Sequence, residues 1–285
     1  MEICTDIALL GGDARMLYCA GMLEETGSTV HLFGFENEPA VRRDCVSAEE
    51  AVARARVVLL PMPVSRDREH LLAPLARQPV ELSDRLAELL QGRLVFCGMV
   101  QNLPETAAWK KLPVIDYYKD EELLAENARI TAEAALFEAM KALPGTLYDA
   151  RCLVAGFGRI GKALAAMLRG LGARVTVAAR KPEDRVLARA LGAETTPFTP
   201  QLPACEVVFN TVPQPVFTGA VPLPAETKLY IELASRPGLL PEGNTAGAEV
   251  IAAASLPGKY APRAAGRAIA AVLQRCIHAE RKEHP

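Results

Sequence analysis

The sequence predicts an α/β protein of two doubly wound domains with parallel sheets. Three observations carry that expectation. The chain has 285 residues, half of them hydrophobic (50%), enough for two cores of ordinary size. Short apolar runs alternate with helical patterns in both halves, which indicates parallel strands covered on both faces. The run CLVAGFGRIGKALAAMLRGLGARVTVAARK, residues 152–181, reads as strand, glycine turn, helix and strand.

The elements follow in order. Ile7–Leu10 is a buried strand ending in GGDAR at 11–15; a helix over Ala14–Glu25 and a strand over Thr29–Phe33 come next. Val57–Leu60 is a third strand ending in PMPV, and Leu94–Cys97 a further one ending in GMVQN. Val114 and Ile115 start another short strand. Segment 65–83 is polar and interrupted by proline, and is expected to be a mobile excursion. From Asp120 to Lys141 one long helix shows a broad apolar side (Leu123, Leu124, Ile130, Ala134, Leu136, Phe137, Met140) and stops at Leu143-Pro144-Gly145. The later strands are Leu153–Ala155, Arg174–Ala178, Val207–Thr211, Leu229–Leu233 and Glu249–Ala252, followed by a helix over Arg263–Arg281. The organisation expected is an N-terminal α/β substrate and dimerisation domain at 1–125 and an interdomain helix at 126–145. A Rossmann domain would follow at 146–285, with helix 263–281 packing back across the junction.

Gly156, Gly158 and Gly161 form the fingerprint G-x-G-x-x-G between an apolar strand and an amphipathic helix. The first glycine permits the tight turn, the second lets the backbone approach a pyrophosphate, and the third lets helix and sheet pack closely. The pyrophosphate then rests on the amides and positive dipole end of the helix. Arg159 and Ile160 complete the turn and are placed at the cofactor with the glycines. At the end of the next strand, where NAD-binding folds usually carry Asp or Glu, stand Ala179, Arg180 and Lys181. Two cations there suit a 2′-phosphate, so NADP is expected ahead of NAD. Asn210, Thr211 and Pro213 follow a later strand in a turn that suits the nicotinamide ribose or its neighbouring phosphate.

Ligands of open α/β sheets bind outside the carboxyl ends of the strands. Arg15, Arg236, Lys259 and Arg263 each lie beside a glycine or proline turn at such ends and are expected to converge on a cleft between the halves. That grouping suits an anionic substrate, since a guanidinium grips a carboxylate through two parallel hydrogen bonds. Asn127 and Thr131, four residues apart on the long helix, share a face and are expected to look into the same cleft. The chain has four histidines, His31, His70, His278 and His284, none in a strand-end loop of the nucleotide domain. Their placement weighs against 2-hydroxyacid oxidation, which needs a general base.

The seven cysteines, at 4, 19, 45, 97, 152, 205 and 276, form no C-x-x-C pair, so neither a metal site nor a disulfide framework is expected. A net charge of −2 and a pI of about 6.2 argue against nucleic-acid binding. No stretch has the length of a membrane span, and no signal-peptide pattern opens the sequence; a cytosolic protein is expected.

A specific set of motifs resembles one family, the dipicolinate synthase A subunit, along nearly the whole chain. The set is GGDAR at 11–15, LFGF at 32–35, LPMPV at 60–64, FCGMVQN at 96–102, N-x-x-x-T-x-E at 127–133, GFGRIGKALA at 156–165, VAAR at 177–180, NTVP at 210–213, LASRPG at 233–238 and LPGKYAPRAAG at 256–266. Ile130, Ala134 and Glu232 depart from the family pattern, which usually has Pro, Gly and Asp there. The resemblance implies NAD(P)-dependent oxidation of dihydrodipicolinate, or its hydrated tetrahydro precursor, to dipicolinate in the cytoplasm of the mother cell of a sporulating bacterium. It implies that a second, flavoprotein-like protein, the B subunit of dipicolinate synthase, is the partner; self-association is expected as well. Under it Arg15, Arg236 and Lys259 hold the small dicarboxylate, with Asn127 and Thr131 in the catalytic set. Two other readings stand beside it: a nucleotide-binding, non-catalytic component of that complex, and a hydroxy- or amino-acid dehydrogenase of the same architecture.

Overall fold

A computed structural model describes residues 5–39, 41, 47–244 and 247–283. In chain order the first elements are β1 (Asp6–Leu10), α1 (Ala14–Glu25), β2 (Thr29–Phe33), α2 (Ala48–Ala53), β3 (Val57–Leu59), α3 (Asp84–Leu89), β4 (Leu94–Cys97), α4 (Ala107–Lys111), β5 (Val114–Asp116) and α5 (Glu121–Ala142). They continue with β6 (Arg151–Ala155), α6 (Arg159–Gly170), β7 (Arg174–Ala178), α7 (Pro182–Ala190), β8 (Glu194–Thr196), β9 (Val207–Asn210), β10 (Leu229–Glu232), β11 (Glu249–Ala252), α8 (Leu256–Tyr260) and α9 (Pro262–Glu283). The chain divides into two units, Met1–Glu126 with Pro262–Pro285, and Asn127–Ala261. The division falls inside α5. Residues 262–285 thus group with the first unit; the domain expected at 146–285 includes them, with helix 263–281 expected to pack back across the junction.

In the first unit five parallel strands lie in the order β2-β1-β3-β4-β5. Alternate residues of a strand point to opposite faces, so one strand feeds two cores. Ala8 and Leu10 of β1 join a core with Val52, Leu86 and Trp109. Ile7 and Leu9 join another with Met16, Cys19 and Leu23 of α1 and Ile269, Leu273 and Ile277 of α9. Helix α9 is held in this unit by the apolar stripe that it lays against α1.

Segment 65–82 differs from the mobile excursion expected of it. Ser65 bridges Leu71 and His70 bridges Glu81 in antiparallel fashion. Leu71 N donates to Val80 O (2.8 Å), Leu72 N to Val64 O (2.8 Å) and Leu82 N to Glu69 O (2.8 Å). Leu71 and Leu82 are buried in the first core. The segment is polar in composition, yet part of its backbone is paired, with its own residues and with Val64 just past β3.

In the second unit six parallel strands lie in the order β11-β10-β9-β6-β7-β8. Renumbered from β6 and read from the β8 edge, this is 3-2-1-4-5-6, the order of dinucleotide-binding sheets. Cys152 and Val154 face a core with Leu164 and Leu168 of α6, while Leu153 and Ala155 face another with Phe217 and Tyr230. Strand β8 has no counterpart in the sequence reading. Glu194-Thr195-Thr196 carries no apolar run and owes its strand form to pairing with β7.

Among the described residues Cys19, Cys97, Cys152 and Cys205 are buried free thiols and Cys276 is half-buried; Cys4, Cys45 and His284 lie outside the described residues. Burial pushes the Cys152 thiol up to about 12 and the Cys205 thiol up to about 11, so both stay protonated.

Candidate functional site

Strand order in the second unit reverses between β6 and β9, where Ala155 pairs with Asn210. The crevice beyond such a switch point is where these sheets take ligands. Gly156 occupies it with φ +94°, a conformation that strains any residue with a side chain. A Cβ added there would lie 2.5 Å from Thr211 Oγ1 and 2.8 Å from Val212 Cγ2. Thr211 itself is fastened to β6, its Oγ1 donating to Ala155 O (2.8 Å) and its N to the same oxygen (2.9 Å). A Cβ on Gly161 would come 2.3 Å from Gly156 O, so the first turn of α6 lies directly on the glycine turn.

Gly158 is different. It is the N-cap of α6, it makes no side-chain cap, and a Cβ added to it would meet nothing within 4 Å. The space above the helix N-terminus is open, and the first turn carries no acidic residue. Unsatisfied amides, a positive dipole end and an open approach fit a pyrophosphate. A dinucleotide would lie across Gly156, Gly158 and the first turn from Arg159 through Ile160 to Gly161. Arg159 is exposed and Ile160 half-buried at that turn.

At the end of β7, Ala179 is buried while Arg180 and Lys181 are exposed, Lys181 being the N-cap of α7. A third cation, unremarked in the sequence, joins them. Arg185 folds back from the second turn of α7, its Nη1 donating to Ala179 O (2.7 Å) and Arg180 O (2.8 Å). Glu183 and Asp184 occupy the first turn of the same helix.

The turn after β9 is shaped by Asn210, which is fully buried. Its Nδ2 donates to Val212 O (3.0 Å) and to Glu232 Oε1 (2.7 Å), and its Oδ1 accepts from Val212 N (3.1 Å). Asn210 therefore builds the turn, while Thr211 is half-buried and Pro213 exposed on it. Glu232, at the end of β10, is the centre of a second network. Its Oε1 also accepts from Ala234 N (3.1 Å), and its Oε2 from Tyr230 Oη (2.7 Å) and Gly238 N (2.7 Å). One carboxylate thus fixes both ends of the loop that carries Arg236. A Cβ on Gly238 would sit 2.1 Å from Asn210 Nδ2, which ties this loop to the neighbouring turn. Burial, with the Glu232 carboxylate beside it, raises the Tyr230 phenol above its ordinary range, so it remains a donor. Arg236 is exposed, and its guanidinium has no partner among the described residues.

Two of the other expected cations, Lys259 and Arg15, are already matched. Lys259 Nζ lies 2.9 Å from Glu138 Oε1, Tyr260 Oη donates to the same oxygen, and Lys141 Nζ lies 3.2 Å from Glu138 Oε2. The Tyr260 hydroxyl first, then Lys259, hold the Glu138 carboxyl down at about 2. On the same helix Thr131 is buried and donates to Asn127 O (2.6 Å), so the pair is adjacent but meets through the backbone. In the first unit Arg15 is 8% exposed and forks onto Asp13, with Nε 2.9 Å from Oδ1 and Nη2 2.9 Å from Oδ2; Nη2 also donates to Met62 O (2.6 Å). Asp13 is the N-cap of α1, so this pair pins the end of β1 to β3. Arg263, on α9, is exposed in the same unit.

Residues 6–118 match the family model of the N-terminal domain of the dipicolinate synthase A subunit. Residues 122–219 match that of the D-isomer specific 2-hydroxyacid dehydrogenase NAD binding domain. A curated relative, the dipicolinate synthase A subunit of Bacillus subtilis, is 27% identical over 286 residues, covering 95% of each sequence. The chain resembles the dipicolinate synthase A subunit. In fold it is similar to the crystal structure of that protein from Bacillus halodurans, with a TM-score of 0.79 and 24% identity over 95% of this chain and 96% of the other. It is also similar to the apo-structure of D-lactate dehydrogenase from Escherichia coli, with a TM-score of 0.58 and 15% identity over 97% of each. The second unit carries an NAD-binding domain of dehydrogenase type, which indicates a nicotinamide dinucleotide cofactor. Among the described residues no helix is long and apolar enough to cross a membrane, and no group of His, Cys, Asp and Glu is placed to hold a metal ion.

Proposed function

We propose that this chain oxidises a partly reduced pyridine dicarboxylate, dihydrodipicolinate or its hydrated tetrahydro precursor, to dipicolinate with NADP as acceptor. The observation that carries the reading is Arg236, whose guanidinium has no partner among the described residues and whose loop is held by the Glu232 network at the end of β10, next to the Asn210 turn of β9. The bound nicotinamide supplies a hydride acceptor. The chain's own residues bind and orient. Backbone amides at Gly158 to Gly161 take the pyrophosphate, and Arg180 and Lys181 face the 2′-phosphate. Arg236 grips one substrate carboxylate through two hydrogen bonds. One hydride leaves a ring carbon and one proton passes to solvent; the hydrated precursor also loses one water, which gives the dihydro ring before the hydride leaves. The product is aromatic, so the driving force lies in the substrate and positioning is the protein's main contribution.

The relatives' description as one component of dipicolinate synthase supports a partner, the B subunit. The same likeness supports a cytoplasmic role in the mother cell of a sporulating bacterium. Formation of NADPH by the purified chain, given freshly generated dihydrodipicolinate with and without the B subunit, tests the reading. Turnover by the chain alone, with KM for the ring substrate raised in Arg236→Ala and NADPH affinity kept, supports it. Turnover only in the presence of the partner makes the chain a nucleotide-holding component, and equal loss of substrate and cofactor binding in Arg236→Ala removes the role given to that residue.

A further inference from the structure

The first unit holds a pocket of about 390 Å³ in the excursion between β3 and α3, within residues 66–79. Its wall is largely apolar, with Leu71, Pro74 and Pro79, and its polar groups are Arg66, Asp67, His70 and Arg77 among a few others. Small-molecule sites have this make-up: a mostly apolar cavity of roughly 300–1,000 Å³ with a few placed polar groups.

Those polar groups are organised. Asp67 Oδ1 accepts from Ser65 Oγ (3.0 Å), Glu69 N (2.9 Å) and His70 N (2.8 Å), while Oδ2 lies 2.9 Å from His70 Nδ1. The carboxylate is therefore taken up by the loop itself. It fixes the imidazole with Nδ1–H inward, so that Nε2 is the ring atom left for a ligand. Arg66 and Arg77 have guanidiniums with no partner among the described residues, although Arg77 N is anchored on Glu36 Oε2 (2.9 Å). Arg68, by contrast, is paired with Glu105. Two unpaired guanidiniums and one oriented imidazole thus share a wall with apolar side chains.

We propose that this pocket, lined by residues of the first unit alone, is a ligand site for a small organic dianion: a dicarboxylate on an apolar or aromatic body. Two guanidiniums suit two carboxylates, each through parallel hydrogen bonds. The apolar wall suits the body between them. Inorganic phosphate matches the charge but leaves the wall uncovered, and it is far smaller than a cavity of about 390 Å³. The site does not depend on the reaction proposed above.

The test is calorimetric titration of the full chain with benzene-1,3-dicarboxylate, its uncharged diamide and inorganic phosphate. It is run in an Arg236→Ala background so that the strand-end site takes no part. Saturable binding of the dicarboxylate, with the diamide and phosphate much weaker, is expected. Arg66→Ala with Arg77→Ala should weaken it about tenfold or more, the loss of charge-assisted hydrogen bonds. His70→Gln should weaken it less. NADPH affinity and the thermal midpoint, unchanged in these exposed-site variants, guard against misfolding. No dicarboxylate binding, binding indifferent to Arg66 and Arg77, or phosphate binding as tightly as the dicarboxylate would each overturn the proposal.

Discussion

Lys259 Nζ stands 2.9 Å from Glu138 Oε1 although the two residues are 121 positions apart in the chain. The pair joins α8 to the C-terminal part of α5 within the second unit, and Tyr260 and Lys141 complete it. The side chain of Glu138 is 8% exposed, whereas Lys259 and Lys141 are 58% and 54% exposed, so water screens the cations more than the carboxylate.

Glu138→Gln is expected to destabilise the chain by roughly 1 kcal/mol at pH 7, since water screens the exposed lysine partners and the amide keeps one acceptor oxygen. The folded Glu138 carboxyl lies near 2, below its ordinary 4.5. A depressed carboxyl contributes stability that is complete above the unfolded value and is lost as pH falls through the folded one. Urea unfolding at pH 7, 4 and 2.5 should show the gap between wild type and variant narrowing between about 4.5 and 2. A gap that stays constant would mean that ionisation is not its source.

The glycine turn separates strain from ligand contact. Gly156→Ala forces a side chain onto φ +94° and against Thr211 Oγ1, so it should cost about 1–3 kcal/mol and abolish NADPH binding. Gly158→Ala meets no neighbour within 4 Å, so it should keep the thermal midpoint and lose NADPH affinity alone. Melting curves and NADPH fluorescence titration read both. Retained affinity in Gly158→Ala would remove the pyrophosphate from that position.

Replacement of Arg180 by Asp should turn coenzyme preference from NADP towards NAD. Arg185→Ala should shift it the same way by about tenfold, since hydrogen bonds to charged groups are worth about 1.5–3 kcal/mol and this one holds the carbonyls of Ala179 and Arg180. The ratio of the two Kd values checks this without any turnover assay. An unchanged ratio in both variants would leave the strand end without a role in coenzyme choice.

Glu232→Gln keeps the shape of the side chain but replaces one acceptor oxygen with a donor. Four donors converge on the native carboxylate, so at least one would face another donor. The loop bearing Arg236 should loosen, raising KM for the anionic substrate severalfold while NADPH affinity holds. Loss of both affinities together would place Glu232 in the general support of the sheet.

What was legible in the sequence was local. The glycine spacing from Gly156 to Gly161 and the apolar runs of β1, β4, β6 and β7 need only neighbouring residues to be read, and the structure follows them within a residue or two at the strand ends. What was missed depends on partners. Glu138 sits in the apolar run ALFEAM and gives no hint of the cations brought to it. Arg185 lies five residues past Arg180, beyond the strand end on which attention falls. Arg15 reads as an open cation until Asp13, two residues before it, is seen to wrap it. Segment 65–82 has the composition of a loose loop, and composition says nothing about backbone pairing.

The path of the chain carries one more consequence. Helix α9 supplies Ile269, Leu273 and Ile277 to a core begun by Ile7 and Leu9, with the whole of the second unit synthesised in between. During translation the unit that is started first is finished last. Until α9 emerges, the apolar side of α1 at Met16, Cys19 and Leu23 lacks the cover that Ile269, Leu273 and Ile277 give, while the nucleotide-binding sheet already has every strand it needs. A ribosome stalled shortly before α9 would thus hold a complete β6–β11 sheet tethered to a half-built neighbour, the state in which this protein is most exposed to chaperones and proteases.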